Sequence, residues 1–440
     1  MHASTRRLSY HSGRAQMAAA AGVAAAVCSG LANGTWNLPT KPDAPLCVYA
    51  GTVWRWENIW FVANLLIPVF NTIFVLAVVG ADVLTEVYAE ATPSELWAIV
   101  VPSLAWGWGG VGFGQAIKRL GVALGTSIVM GIIVVIGTAL PAVVDRDKLR
   151  TAQLTGVVVG VLLGIAGFTA GGYAGLLRDR NKEEDLMDGV KIRDISVSAK
   201  ESELNEKTAS GRDSCKGDTL DSQSFAVSMA WCLAGGVLSS MLQFAFVFGK
   251  GLIDTARDKG TSELAAAMPI WLLCFACNAF GHLAYSSYLL TTNNTWRLFW
   301  VGMPVKKNAD GPAGFDSEDG TEGAESSGRR RVPTEPRFAN TRAKNDWART
   351  TSHSVTMCAL MAVAMPFHIH TYGIAAVLMG DTGAVFAWPV VMSATVFTAQ
   401  MWSVSLREFQ GAPLAAKRTN AASLALLVAS VGVVAVTGVL

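Results

Sequence analysis

Ten apolar segments, each about 20 residues or longer, constrain the fold of this chain more than any other feature. An α-helix needs about 20 apolar residues to cross the hydrocarbon core of a bilayer. Such segments occur at 17–37, 57–80, 94–116, 121–144, 152–177, 223–248, 264–291, 353–378, 384–406 and 418–440. Only 15% of the 440 residues are charged, whereas soluble domains contain about a quarter. The sequence therefore predicts an all-α membrane protein with ten transmembrane helices, a multi-pass protein of the lipid bilayer, and it excludes a soluble enzyme.

Two polar segments interrupt the apolar pattern. Residues 178–222 and 305–350 are rich in charged residues and serine or glycine, so neither segment buries enough apolar surface to fold alone. We predict a first five-helix unit at 1–177, a disordered polar loop at 178–222, and a second five-helix unit at 223–440 with a disordered loop near 305–350. The segment 81–96 contains four acidic residues and no basic one, which favours an orientation with both termini outside.

Short matches between the two halves indicate an internal repeat. Gly114-Gln115-Ala116 corresponds to Gly373-Ile374-Ala375 at an offset of 259 residues, and Gly30, Asn33 and Asn37 correspond to Gly236, Ser239 and Gln243 at an offset of 206. A duplicated unit with an odd number of spans inserts with inverted topology, and inverted repeats around a midplane site are typical of secondary transporters. The sequence thus predicts two inverted five-helix repeats that work by alternating access.

Several motifs resemble those of the L-rhamnose–proton symporter family, within the drug/metabolite transporter superfamily. The motifs are Gly34-Thr35-Trp36-Asn37-Leu38-Pro39-Thr40-Lys41 at the end of the first span, Trp54-Arg55-Trp56-Glu57-Asn58-Ile59-Trp60 at the start of the second, and Leu406-Arg407-Glu408-Phe409 after the ninth. The resemblance covers 17–177 well and 223–440 loosely, and the seventh and eighth spans match poorly. It implies a carrier that moves a monosaccharide such as L-rhamnose together with a proton and needs no cofactor other than that coupling ion.

Aromatic and amide side chains at membrane depth are the candidates for sugar binding. A sugar needs aromatic surfaces for its apolar side and polar groups for its hydroxyls. The candidates are Trp36, Asn37, Gln115, Gln243, Asn278 and Trp388. Because Asn37 and Gln243 are equivalent in the predicted repeats, we expect both at the central cavity. Hydrogen bonding between helices is the alternative for each amide, and packing or an interfacial position is the alternative for each tryptophan.

Proton coupling requires a group that binds and releases a proton during transport. Ionisable residues within membrane spans are costly, and they usually face the interior of the bundle. The candidates are Glu57, His282, His368 and His370. The alternative for Glu57 is an ion pair with the neighbouring Arg55. A metal site is not predicted, because two histidines separated by one residue point to different faces of a helix.

Other functions remain open at the level of the sequence. One alternative is a carrier of a nucleotide-sugar or another small metabolite without proton coupling, another is an intramembrane enzyme, and a third is a receptor-like or structural role. We predict that the chain is not an enzyme, because no compact acidic or histidine cluster is evident. The 35 basic and 33 acidic residues nearly cancel, so no nucleic-acid partner is indicated. Two copies could associate as a homodimer.

Overall fold

The computed structural model of the protein describes residues 2–40, 54–201, 222–300 and 341–439. These residues form eleven α-helices: α1 (His2–Asn33), α2 (Trp56–Val79), α3 (Ala81–Glu90), α4 (Pro93–Val144), α5 (Thr151–Glu201), α6 (Ser222–Phe248), α7 (Lys250–Asp258), α8 (Met268–Thr292), α9 (Thr341–Leu378), α10 (Gly383–Ser405) and α11 (Leu414–Val439). Within the described residues, ten helical segments are long and apolar enough to cross a membrane. The predictions of an all-α architecture and of ten membrane-spanning helices are therefore confirmed.

The third and fourth spans lie in one continuous helical segment, α4, which folds back on itself. Its 52 residues would extend about 78 Å as a straight helix, far more than the thickness of a bilayer. A Cβ on Gly125 would lie 2.9 Å from the carbonyl oxygen of Ala116, although nine residues of straight helix would separate the two by about 13 Å. The chain therefore reverses between Pro93–Ile117, the first arm of α4, and Gly125–Val144, the second arm.

Local sequence signals explain where α4 begins. Pro93 occupies its first turn, where the missing N–H is not needed. Thr92 and Glu95 form a capping box, in which the Thr92 N–H donates to Glu95 Oε2 at 2.9 Å and the Glu95 N–H donates to Thr92 Oγ1 at 3.3 Å. Further upstream, the turn between α2 and α3 contains Gly80 with φ of +88°. Residues with a Cβ rarely adopt this conformation.

Two helices extend into segments that we predicted as polar loops. The backbone of α5 stays helical to Glu201 and that of α9 begins at Thr341, whereas the sequence placed the loops at 178–222 and 305–350. Polar composition prevents a segment from forming a core, but lysine, glutamate and leucine still favour a helix. The remaining loop residues, 202–221 and 305–340, lie outside the described residues. The division of the chain into two five-helix units stays a prediction.

Glycines bring pairs of helices into close contact. Along α5, a Cβ on Gly160 would press against Val434 of α11, and a Cβ on Gly167 would lie 2.8 Å from Leu427. The residue numbers fall on α11 as they rise on α5, so the two helices are antiparallel. Small residues at these positions let the backbones approach.

The packing of α1 and α6 follows a common scheme. Gly30 of α1 lies against Val391 of α10, whereas Gly236 of α6 lies against Ile132 in the second arm of α4. The helix α1 also contacts α9 through Gly22, and α6 contacts the first arm of α4 through Gly235. Each helix thus packs between two consecutive spans of the other half. This shared packing scheme agrees with the predicted repeat, while the repeat and its inversion both stay predictions.

Candidate functional site: a central cavity

A cavity of about 580 Å³ lies between the two halves of the bundle. Side chains from α1, α2, both arms of α4, α6, α8, α9 and α10 line it. The lining includes Asn37 and Trp56, which are exposed at the end of α1 and the start of α2, so the cavity opens at that face of the protein, which we call the open face. Its volume falls within the range of about 300–1,000 Å³ that is typical of small-molecule sites.

The structure brings most of the predicted site residues to this cavity. The lining contains Trp36, Asn37, Gln115, Asn278 and Trp388 among the sugar-binding candidates, and Glu57, His282 and His368 among the proton-coupling candidates. Gln243 and His370 are not part of the lining. Both are buried and lie in a separate polar layer that is described below.

Three tryptophans form one side of the cavity, which we call the aromatic wall. Trp60 stacks on Trp56 with ring centroids 5.1 Å apart and packs against Trp36 at 5.9 Å. Trp56 and Trp60 are four residues apart on α2, a spacing that puts two side chains on one face of a helix. The same spacing was visible in the Trp-x-Trp-Glu-x-x-Trp motif, but the sequence analysis did not identify Trp60 as a site residue. The wall offers flat apolar surfaces to a bound molecule.

Amide groups supply hydrogen-bonding capacity within the cavity. Gln115 Nε2 donates to the Tyr285 hydroxyl at 2.6 Å, and Asn64 Nδ2 donates to the carbonyl oxygen of Trp60 at 2.8 Å. Asn278 is 5% exposed, and its Nδ2 has no hydrogen-bond partner among the described residues. A buried donor without a partner costs about 1–3 kcal/mol, so Asn278 is suited to donate a hydrogen bond to a ligand.

The hydrogen bonds of His282 determine which of its nitrogens is protonated. The indole N–H of Trp60 donates to His282 Nδ1 at 3.2 Å, and the two rings meet edge to face at 5.6 Å. Nδ1 must therefore be the unprotonated acceptor, and the neutral ring carries its proton on Nε2. A second proton would have to occupy Nδ1, where it would face the Trp60 N–H. Protonation of His282 thus breaks its link to the aromatic wall.

His368 has the opposite arrangement of protons. The Ser29 hydroxyl donates to the carbonyl oxygen of His368 at 2.8 Å, and Ser29 Oγ lies 2.8 Å from His368 Nδ1. Since the hydroxyl has one hydrogen, Nδ1–H is the donor to Ser29 when both bonds form. A second proton on Nε2 would disturb neither bond. His368 can therefore gain a proton without breaking its contact with α1.

Glu57 lies at the cavity without the ion pair that we considered for it. Its Oε1 accepts hydrogen bonds of 3.0 Å from Asn293 Nδ2 and from Thr295 Oγ1, and the residue is 6% exposed. No arginine or lysine, Arg55 included, forms an ion pair with Glu57 within the described part of the chain. Glu57 is thus held by two neutral donors from the segment that follows α8, and Asn293 and Thr295 were not identified from the sequence.

Basic side chains are missing from the described lining of the cavity. It contains neither lysine nor arginine, and Glu57 is its one carboxylate. The described residues also contain no group of three or more histidine, cysteine, aspartate or glutamate side chains that could hold a metal ion. The cavity therefore suits a neutral, hydroxyl-bearing molecule better than an anion.

Ten spanning helices around a cavity that opens at one face define a multi-pass integral membrane protein. Comparison with known proteins adds a family. The model of the L-rhamnose-proton symport protein family matches residues 35–197, which confirms the resemblance seen in the sequence. This region includes the aromatic wall, Glu57 and both arms of α4.

Curated relatives agree with the family match. The L-rhamnose-proton symporter of Mannheimia succiniciproducens is 22% identical over 266 residues, a match that covers 56% of this chain and 63% of the relative. The L-rhamnose-proton symporter of Yersinia pestis bv. Antiqua is 23% identical over 264 residues, covering 58% of this chain and 66% of the relative. The chain thus spans slightly less than two thirds of the length of these relatives, whose names describe transporters rather than enzymes.

Proposed function

We propose that the protein is a secondary carrier that moves a neutral monosaccharide of the L-rhamnose type together with a proton, by alternating access. The observation that carries this proposal is the composition of the central cavity. An aromatic wall, the free donor of Asn278 and the Gln115–Tyr285 pair offer what a sugar ring needs, which is apolar surface and groups that bond hydroxyls. The names of the relatives support the same cargo.

The charge of the cavity distinguishes this function from nucleotide-sugar transport. A diphosphate carries negative charge, and proteins bind phosphates with arginine, lysine or clustered backbone N–H groups. The described lining has neither lysine nor arginine and contains the carboxylate of Glu57. A nucleotide-sugar would meet repulsion rather than compensation there, which favours the neutral sugar.

We assign proton coupling to His282. Of the cavity candidates, His282 is the one whose protonation breaks a hydrogen bond to the aromatic wall, through Trp60. Gain and loss of a proton would therefore alter the surface on which the sugar rests. Histidine is suited to this role because its charge changes in the physiological pH range.

Uptake into proteoliposomes tests the proposed function. We expect accumulation of labelled L-rhamnose when an inward proton gradient is imposed, and loss of accumulation when a protonophore collapses the gradient. Protein-free liposomes are the control, and a panel of neutral sugars, sugar acids and nucleotide-sugars tests the selectivity. Accumulation of a nucleotide-sugar, or sugar flux that is indifferent to the gradient, would contradict the proposal and favour the metabolite carrier.

Substitution of Asn278 tests the assignment of the sugar site. Asn278→Leu keeps the approximate size of the side chain but removes the buried donor, so we expect the sugar concentration for half-maximal uptake to rise about five- to tenfold, as the loss of one hydrogen bond predicts. The neighbouring Cys277→Ala is the matched control, because Cys277 lies outside the cavity lining. An unchanged concentration dependence in Asn278→Leu would remove this residue from the site.

A further inference from the structure

A second polar layer lies between the central cavity and the face opposite the open face. In this layer the Tyr372 hydroxyl donates to Gln243 Oε1 at 2.7 Å. His370 Nε2 lies 2.8 Å from Asn71 Oδ1, and Asn71 Nδ2 donates to the carbonyl oxygen of Trp271 at 3.3 Å. The five side chains come from α2, α6, α8 and α9, and all are at least 95% buried.

Three atoms of this layer have no hydrogen-bond partner among the described residues. They are Gln243 Nε2, Trp271 Nε1 and His370 Nδ1. Each unpartnered buried group costs about 1–3 kcal/mol, and such groups are rare enough in native structures to need an explanation. Three in one layer fit a surface that is dry in this conformation and meets water or a ligand in another.

Four aromatic rings separate the cavity from a recess on the opposite face. Trp388, which lines the cavity, meets Tyr372 at 5.3 Å, and Tyr372 contacts Trp271 at 6.0 Å. Trp271 stacks on Phe246 at 5.2 Å, and Phe246 lines a recess of about 170 Å³. We call these four rings the aromatic plug. Trp271 belongs to this plug and Gln243 bonds to Tyr372, so two of the three unpartnered atoms lie beside the line between the two cavities.

An ion-pair network borders the recess at the face opposite the cavity mouth. Asp145, which is 4% exposed, pairs with Lys250 at 2.7 Å and with Lys148 at 3.2 Å. Lys250 Nζ also donates to the carbonyl oxygen of Asp381 at 3.1 Å. The hydrogen bond and the charge of Asp145 raise the pKa of Lys148, so the Lys148 ammonium is charged at neutral pH. It joins the end of α4 to α7 and to the segment between α9 and α10, across the two halves of the chain.

The predicted repeat relates the two layers to each other. Asn37 and Gln243 correspond in the predicted repeat, at an offset of 206 residues, yet Asn37 is exposed at the open face while Gln243 is fully buried. In a carrier built from inverted repeats the two halves exchange conformations when the protein turns from one face to the other. The buried member of each pair then becomes the exposed one.

We propose that the layer of Gln243, His370, Tyr372, Trp271 and Asn71 is the second half of the transport path, which the aromatic plug and the Asp145–Lys250 ion pair keep closed in this conformation. Opening at the opposite face hydrates this layer and offers its three free polar atoms to the departing or entering sugar. This inference rests on the proposed function for the identity of the transported sugar. The opening of the opposite face does not depend on that function.

Cysteine labelling tests the proposal without any transport measurement. In a background without the seven native cysteines, Gln243→Cys is labelled with a small maleimide in proteoliposomes, alone and together with Asp145→Asn. Breaking the ion pair favours the opposite-facing state, so we expect the labelling rate of Gln243→Cys to rise at least tenfold, while that of Asn37→Cys falls. Ser240→Cys is the matched control, since Ser240 is equally buried on α6 and bonds to Gly236 of the same helix.

Further measurements separate the possible failures. Lys250→Gln breaks the same ion pair from the other side and should act like Asp145→Asn. Hydrogen–deuterium exchange of 367–378 in Lys250→Gln, with the native cysteines present, covers the case in which the cysteine variants do not fold. Labelling of Gln243→Cys no faster than that of Ser240→Cys in both gate variants, with unchanged exchange, would overturn the proposal. If L-rhamnose uptake is absent but the labelling rates change as expected, the proposed sugar is wrong. The layer then remains the second half of the transport path.

Discussion

In His282→Gln, the stimulation of sugar uptake by a proton gradient is expected to fall at least tenfold. Sugar exchange without a gradient is expected to persist. A glutamine oxygen can still accept the hydrogen bond that Trp60 donates to Nδ1 in the native protein, but an amide carries no proton in this pH range. The measurement is uptake in proteoliposomes with and without an imposed gradient, beside counterflow at equal pH. Full gradient stimulation in His282→Gln would move the coupling to Glu57 or His368.

Trp60→Phe tests the same link from the other side. The substitution keeps an aromatic ring in the wall but removes the N–H, so protonation of His282 no longer breaks a hydrogen bond. We expect the pH midpoint of uptake to move upward by about 0.5–1 unit, since one hydrogen bond contributes about 1 kcal/mol and 1.36 kcal/mol corresponds to one pH unit. Trp56→Phe is the control, because Trp56 stacks on Trp60, whereas the hydrogen bond to the imidazole comes from Trp60.

Other ionisable groups share the cavity and define the background of this experiment. They are Glu57 on α2, Tyr285 on α8 and His368 on α9, whereas α4 and α6 contribute Gln115 and Ser239, which do not titrate. A midpoint that moves equally in Trp56→Phe and Trp60→Phe would show that ring packing, not the hydrogen bond, sets the pH dependence.

Gly107→Ala is expected to cause a large loss of stability, by about 1–3 kcal/mol as overpacking usually does, and to weaken sugar binding. A Cβ at Gly107 would press against the carbonyl oxygen of Asn278, and a Cβ at Gly281 would lie 2.7 Å from the carbonyl carbon of Gly107. The obstacle is backbone, which cannot rotate away, so α4 and α8 must separate. Asn278 and His282 both lie on α8, and the separation would displace them from the cavity. Thermal denaturation in detergent measures the effect.

Gly131→Ala on the same helix is the matched control for this prediction. Beyond its own helical turn, no atom of the described residues lies within 4 Å of a Cβ at Gly131, and alanine favours a helix over glycine by about 1 kcal/mol. We expect Gly131→Ala to melt at or above the temperature of the native protein. If Gly107→Ala melted at the same temperature as Gly131→Ala, the close contact between α4 and α8 would be contradicted.

Hydrophobic segment length was sufficient to predict the ten spans. Polar residue type at membrane depth was also informative, and eight of the ten candidate residues line the cavity. The reason is physical, because a polar side chain in hydrocarbon is costly and turns to the interior of the bundle. The same rule does not distinguish one interior surface from another, and for this reason Gln243 and His370 were not separated from the cavity residues.

Hydropathy was sufficient for the spans because crossing a bilayer depends on the length and polarity of one segment, whatever its neighbours are. The tertiary structure decided which groups meet. Trp60 reaches His282 across 222 positions of sequence, and Glu57 is held by Asn293 across 236. Only the packing of α2 against α8 brings these pairs together, and the contact with Trp60 places the proton of neutral His282 on Nε2. The closed plug between the two cavities is likewise a property of one conformation, because the same residues would be exposed if the bundle opened at its other face.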